Sequence, residues 1–344
     1  MKFVIDRAIP FVEGVFEPYG AEVLYKDGPE IVREDLLDAD ALVIRTRTRC
    51  DAALLKGTAV KLIATATASM DNIDQKWCKE HGIYVQNASG CNAGGVTNYV
   101  FSALFGTASR KSISLEGATI GIIGLGSAGS RVEEMALALG FKTLRYDPIR
   151  AEKEWHTEFH DLDTVLEGSD VITMHIPVND TTRGMANAHF FATMKPGAFF
   201  INAAQGELVV EKDLIKAIPR LGPVALDAWC HEPKVNRELM DLVDIATPHI
   251  AGYTLQGKQI GTSLAIRAVA RFFSIKELYD FFPTTEILEY QAVRIDAHDK
   301  TQGQIASVIQ YNYPIFTDDF MFRMNPDSFN ELRINYQYRR EFYF

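Results

Sequence analysis

Cysteine is scarce in this 344-residue chain, and the four present, Cys50, Cys78, Cys91 and Cys230, show no CxxC or other metal-ligating spacing. That argues against a disulfide-stapled scaffold and a thiolate metal centre. No metal is expected, and reduced thiols in a cytoplasmic protein are the simple reading. Positive charge is also in deficit: 35 Lys and Arg against 45 Asp and Glu leave a formal charge of −10. Phosphate backbones select basic surfaces, so no nucleic-acid partner is expected. Long apolar runs are missing too. None approaches the roughly 20 residues a membrane helix needs, and the opening MKFVIDRAIPFVEG has neither the basic flank nor the apolar stretch of a signal peptide. No membrane partner is expected. Flexible-linker composition and short repeats are absent as well, so the two or three domains that this length implies should pack closely.

What is present is alternation. FVID, EVLY, ALVIRT, VKLIATAT and IYVQN read as strands, with helix-type spacing between them in VREDLLDAD and DNIDQKWCKEHG. Regular alternation implies βαβ units and a parallel sheet, and runs such as ALVI, apolar on both faces, fit strands covered by helices. NAGGVTNYVFSALFG, from Asn92 to Gly106, reads as one long apolar helix. A second α/β series follows, with ATIGIIG, KTLRYD, DVITMHIP, GAFFINAA, PVALDA and VDIATP as strands. From about Phe281 the chain turns aromatic and arginine-rich; EYQAVRID suggests a strand and QGQIASVIQYN a helix. The expected architecture is α/β: two doubly wound parallel-sheet domains, one flavodoxin-like and substrate-binding (residues 1–92 and about 255–280), one a Rossmann domain (93–254), and a small C-terminal α+β dimerisation module (281–344). A surface as aromatic as that tail must be covered, and a partner subunit is the expected cover.

The strongest motif is ATIGIIGLGSAGSRVEEMALALGFKTLRYD, in which Gly124, Gly126 and Gly129 form GxGxxG after a strand and at the head of a helix. Such glycines permit a tight turn and close approach to a pyrophosphate, while the helix start, with Ser127 and Ala128, supplies N–H donors. Asp147 ends the next strand, where an acid binds the ribose hydroxyls and repels a 2′-phosphate; the cofactor read from this is NAD. Arg145 and Arg150 lie nearby and weaken that preference slightly. Three later segments, INAAQGELV, LDAWCHEP and ATPHIAGYTLQGK, each follow or end a strand. Groups beyond the carboxyl ends of a doubly wound sheet face its ligand crevice, which brings Gln205, Glu232 and His249 toward one place.

With GLGSAG, INAAQG, LDAWCHEP and TPHIAG in this order and spacing, the chain resembles the D-2-hydroxyacid dehydrogenase family. A narrower likeness within it rests on SGCNAGGV, PHIAGYTLQGK and the tail LRINYQYRREF. It implies a small phosphorylated 2-hydroxy acid as substrate and a homodimer, aided by the apolar helix and the aromatic tail. The resemblance implies that His249 is the general base for the 2-hydroxyl as hydride leaves C2, supported by Glu232 on its other ring nitrogen. It further implies cofactor contacts at His175, Ile176, Ala204, Gly206, Asp227 and Gly252, and substrate contacts at Thr46, Thr67 and Tyr253. Arg45, Arg47 and Lys258 are candidates for a phosphate by proximity in sequence.

One position departs from the family, which uses an arginine where this chain has Gln205. Glutamine cannot copy that bidentate grip on the substrate carboxylate. Three readings stand open: an arginine serves from elsewhere, the substitution cripples the enzyme, or the chain has turned to binding. An enzyme lineage with impaired or rearranged catalysis is favoured. A dehydrogenase for another 2-hydroxy acid and an NAD-binding regulatory protein are the alternatives.

Overall fold

The computed structural model describes residues 1–154, 158–284 and 291–344. By its contacts the chain divides into two units, Met1–Asn92 with Leu255–Gln291, and Ala93–Thr254 with Ala292–Phe344.

The first unit is built on five strands: β1 (Lys2–Asp6), β2 (Glu22–Lys26), β3 (Ala41–Ile44), β4 (Leu62–Thr65) and β5 (Tyr84–Asn87). They lie in the order β2-β1-β3-β4-β5, every pair parallel. β3 and β4 are buried along their whole length, as strands covered on both faces must be. The long helix Leu255–Phe273 returns to this unit and lays Ala265, Ile266 and Val269 against Phe3, Val43 and Ala64. The stretch VREDLLDAD, expected to be helical, forms only a short 3-10 turn at Arg33–Leu36. Its acids are spent elsewhere: Asp40 accepts from the Lys2 backbone N–H and Asp38 from the Lys2 ammonium, tying the loop to β1.

The second unit carries β6 (Thr119–Ile123), β7 (Lys142–Tyr146), β8 (Val171–Met174), β9 (Phe199–Asn202), β10 (Val224–Leu226) and β11 (Ile245–Ala246). Their order is β11-β10-β9-β8-β6-β7, again all parallel. All six carboxyl ends therefore lie on one edge. The chain reverses direction across the sheet between β6 and β8, the topological switch point where doubly wound sheets bind ligands. The helix Ala93–Arg110 is buried from Ala93 through Ala108, so its lack of a polar face reflects a place inside the core.

Residues 292–344, the greater part of the module expected over 281–344, fall within this second unit. β12 (Val293–Arg294) pairs in parallel with β13 (Phe342–Tyr343), and the helices Gln302–Asn312, Ile315–Met324 and Phe329–Ile334 lie between. Of the expected strand EYQAVRID, residues 289 and 290 lie outside the described residues. Ile309, Tyr313 and Ile315 join the core around the buried helix, while Phe322 and Phe329 join the one that holds Trp229. Much of the aromatic tail is thus covered by its own chain rather than by a partner. Tyr311, Phe320 and Met324 stay outside, 87%, 60% and 63% exposed. Among the described residues, no helix is long and apolar enough to cross a membrane.

Candidate active site

The glycine turn after β6 has the shape a pyrophosphate requires. Gly124 adopts φ +91°, and a Cβ there would lie 2.5 Å from Ile176 Cγ2 and 2.8 Å from the His175 carbonyl. A Cβ on Gly129 would stand 1.9 Å from the Gly124 carbonyl oxygen, so the helix Ser127–Ala138 can pack this close only without one. At Gly126, in contrast, a Cβ would meet nothing within 4 Å: the backbone faces open space. No side chain caps this helix, whereas Asp51, Asp74, Asp161, Asn187, Asn236 and Thr301 cap six others among the described residues. The N–H groups of its first turn remain for an anionic ligand, favoured further by the helix dipole. The residues present fit a dinucleotide.

Asp147, at the end of β7, is held across this turn by the N–H groups of Leu125 (2.8 Å) and Arg150 (3.0 Å). Each carboxylate oxygen keeps a lone pair for a ribose hydroxyl. The two nearby cations are committed to carboxylates, Arg145 to Glu133 and Glu158, and Arg150 to Glu154. They do not stand ready for a 2′-phosphate. His175, just past β8, bonds Thr173 Oγ1 through Nε2 (3.0 Å), and burial pushes its pKa down to about 4, so the ring beside the Gly124 turn stays neutral.

Past β10 and β11 lies the acid–base pair. His249 Nδ1 is 2.9 and 3.0 Å from the two carboxylate oxygens of Glu232, which leaves Nε2 as the nitrogen able to take a proton. Glu232 Oε1 also accepts from the Trp229 N–H at 2.9 Å. Burial alone acts to lower the His249 pKa, but the hydrogen bond and charge of Glu232, with Asp227 adding to them, carry it above 6.5. For Glu232 burial acts to raise the pKa, and the bond and charge of His249, the Trp229 N–H and Arg333 bring it below 4.5.

His249 sits at φ +56°, a left-handed conformation that costs a non-glycine residue about 1–3 kcal/mol. Asp227 holds it there. Fully buried, its carboxylate accepts from the Ile250 and Ala251 N–H groups and the Thr247 hydroxyl, and its carbonyl accepts from the His249 N–H. Thr247 passes the chain on to the Tyr99 hydroxyl in the buried helix. Expected as a cofactor contact, Asp227 has its visible work inside the protein, holding the loop that carries His249.

Comparison with known proteins agrees with this layout. Residues 99–251 match the model of the D-isomer specific 2-hydroxyacid dehydrogenase NAD binding domain. The erythronate-4-phosphate dehydrogenase of Bacteroides fragilis is 37% identical over 99% of this chain and 97% of its own. That of Klebsiella pneumoniae is 38% identical over 99% and 92%. The chain belongs to the D-2-hydroxyacid dehydrogenase family, in its erythronate-4-phosphate dehydrogenase branch. Among solved structures, the NAD+-bound 3-phosphoglycerate dehydrogenase of Entamoeba histolytica is 27% identical, with a TM-score of 0.69 over 83% of this chain and 99% of that one. The D-lactate dehydrogenase of Aquifex aeolicus, at 24% identity and a TM-score of 0.65 over 83% of this chain and all of that one, shares the fold. As a member of this family the chain is an NAD-dependent dehydrogenase.

The family's other positions can now be placed. Gln205 follows β9, its carbonyl accepting from Asn202 Nδ2 (2.9 Å). A Cβ on the adjacent Gly206 would lie 2.0 Å from the Trp229 carbonyl carbon, so this loop is pressed onto the one that bears Glu232. The Ala204 N–H is turned back onto Asn202 Oδ1 (3.1 Å). Gly252 and Tyr253 continue the His249 loop, with the Tyr253 ring edge-on to Tyr336 and Tyr338. In the first unit, Arg45 and Thr46 follow β3 and Thr67 follows β4, at the carboxyl edge of that sheet. Arg45 donates to the Ala8 carbonyl (2.9 Å), Arg47 is exposed, and the Thr65 and Thr67 hydroxyls bond each other at 2.7 Å. Lys258 lies in the helix Leu255–Phe273.

Sequence reasoning missed Arg333, in the helix Phe329–Ile334. Its guanidinium lies over the Tyr253 ring, 5.6 Å from the centroid, and its charge acts on both Glu232 and His249. It stands in the LRINYQYRREF stretch on which the narrower likeness rests, but at 84 residues from His249 no spacing tied it to the acid–base pair.

Proposed function

We propose that the chain oxidises 4-phospho-D-erythronate at C2 to 2-oxo-3-hydroxy-4-phosphobutanoate, reducing NAD, as a step of pyridoxal 5′-phosphate (vitamin B6) biosynthesis. Full-length likeness to proteins of that name supports the substrate. The observation that carries the chemistry is the His249–Glu232 pair at 2.9 Å, on the same sheet edge as the open Gly126 turn. Bound NAD supplies the hydride acceptor. The C2–H bond breaks with its electron pair, C2=O forms, and the hydroxyl proton passes to His249 Nε2. Glu232 holds the Nδ1–H, fixing the tautomer with a lone pair at Nε2 and stabilising the imidazolium once formed. Asp227 keeps the ring in place.

The cofactor contacts of this reading are Gly124, Gly126, Ser127, Ala128, Gly129, Asp147, His175, Ile176, Ala204, Gly206 and Gly252. Thr46, Thr67 and Tyr253 are its substrate contacts, and Arg45 its phosphate ligand. The enzyme works in the cytoplasm as a homodimer, for which the exposed Tyr311, Phe320 and Met324 offer an apolar face. Gln205 is the feature that favours a regulatory NAD-binding protein instead. Following the absorbance of reduced nicotinamide with a panel of 2-hydroxy acids separates these readings. Strong preference for 4-phospho-D-erythronate is expected; preference for 3-phosphoglycerate or glycerate would reassign the substrate, and silence across the panel with tight NADH binding would favour the sensor.

A further inference from the structure

A charge-bearing fork stands unused beside the acid–base pair. Two other arginines of the C-terminal segment have acceptors: Arg339 donates to Asp318 and to the Tyr336 hydroxyl, and Arg323 to Asp319 and the Val243 carbonyl. Arg333 has rings only. Its guanidinium lies over Tyr253 at 5.6 Å and over Phe329 at 5.5 Å, and among the described residues it forms neither an ion pair nor a hydrogen bond. Its Nε is buried and without a partner. An unpaired buried donor is costly, and a guanidinium matches a planar carboxylate with two parallel hydrogen bonds. Glu232 does not take up that fork: its hydrogen bonds among the described residues go to His249 and to the Trp229 N–H. The ring beneath Arg333 belongs to the loop that carries His249, four residues on. Its charge is felt by both His249 and Glu232, so a carboxylate brought up to the His249 loop meets a cation there.

We propose that Arg333 binds the substrate carboxylate, supplying from the C-terminal segment the cation that the family carries at the position of Gln205. This rests on the dehydrogenase reading above. It also answers the difficulty that Gln205 posed: a cation remains for the carboxylate although the family's arginine is replaced. The rings of Tyr253 and Phe329 hold the guanidinium plane, and its donors are left for the acid.

The test uses the full-length protein and two readouts. Arg333→Met keeps the apolar stem that packs on both rings, and Arg333→Lys keeps the charge without the fork. With 4-phospho-D-erythronate and NAD, kcat/KM should fall about a hundredfold or more for Arg333→Met and about tenfold for Arg333→Lys. Gln205→Arg, introduced into the Arg333→Met protein, should restore much of the loss. Independently of turnover, oxalate binding to the enzyme–NADH complex should weaken at least tenfold in Arg333→Met, with the Kd for NADH unchanged. Oxalate has carboxylates and no phosphate. A variant that lost activity on the phospho-acid yet bound oxalate normally would place Arg333 on the phosphate and overturn the assignment, as would a wild-type complex that did not bind oxalate at all. A wild type that bound oxalate through Arg333 but turned over none of the acids would instead sink the dehydrogenase reading and leave the carboxylate site standing.

Discussion

Removing the charge of Glu232 while keeping its shape isolates what that carboxylate does. Glu232→Gln preserves an acceptor at Oε1, the atom that receives both the Trp229 N–H at 2.9 Å and His249 Nδ1 at 3.0 Å. The tautomer and the loop are therefore kept, and the lost quantity is the charge opposite the imidazolium. A hydrogen bond to a charged group contributes about 1.5–3 kcal/mol, and with 23% and 29% of the two side chains exposed the lower part of that range applies. By transition-state arithmetic kcat/KM should fall by about one to two decades. The pH profile is the sharper readout. Oxidation needs the neutral ring, so kcat/KM rises with pH through the His249 pKa, which in the wild type lies above 6.5. Without Glu232 burial is opposed less, and the midpoint must move to lower pH. Stability follows the same linkage. The raised His249 contributes fully below about 6.5 and loses its contribution as pH rises through its folded pKa; the depressed Glu232 contributes above about 4.5 and loses its contribution as pH falls. The wild type should therefore exceed Glu232→Gln in stability most between those limits. An unmoved or upward-moved midpoint would refute the reasoning.

Asp227→Asn must set an amide N–H against one of the backbone N–H groups of Ile250 and Ala251, whichever way it turns. It should cost about 2–5 kcal/mol of stability in chemical denaturation and most of the activity; a silent variant would remove Asp227 from the loop's support. Gly129→Ala puts a Cβ 1.9 Å from the Gly124 carbonyl oxygen, so NADH affinity measured by fluorescence should collapse, and unchanged affinity would mean the turn is not the cofactor site. Asp147→Ala removes the carboxylate that repels a 2′-phosphate, and the preference for NAD over NADP in steady-state kinetics should narrow; a preference left intact would place the discrimination elsewhere.

The parallel sheets were legible because burial on both faces leaves a plain mark: ALVI, VITM and FFIN are wholly apolar or nearly so, and each is fully buried. The cofactor turn and the His249–Glu232 pair were legible because motif and strand end coincide. Strand length was not. VDIATP yields a two-residue β11, since Pro248 has no N–H to give and, past His249, the Ile250 and Ala251 amides are captured by the Asp227 carboxylate. The left-handed backbone of His249 was equally hidden, because it is imposed by Asp227 from another strand rather than by its neighbours. The tail's aromatics suggested a partner surface, yet Tyr313, Phe322, Phe329 and Phe342 fill the chain's own core. Arg333 acquires its meaning only when the helix Phe329–Ile334 folds back beneath the His249 loop, a contact that no local pattern encodes.

The central claim is that His249 Nε2 takes the C2 hydroxyl proton as hydride departs. Its most direct test is single-turnover formation of NADH from 4-phospho-D-erythronate by the wild type and by His249→Gln, each first shown to bind NADH with the same Kd. The account predicts a wild-type burst and a variant slowed about 10²–10⁴-fold, with the slowing lessened as pH rises and hydroxide takes over the base's work. A variant that forms NADH at the wild-type rate would contradict it.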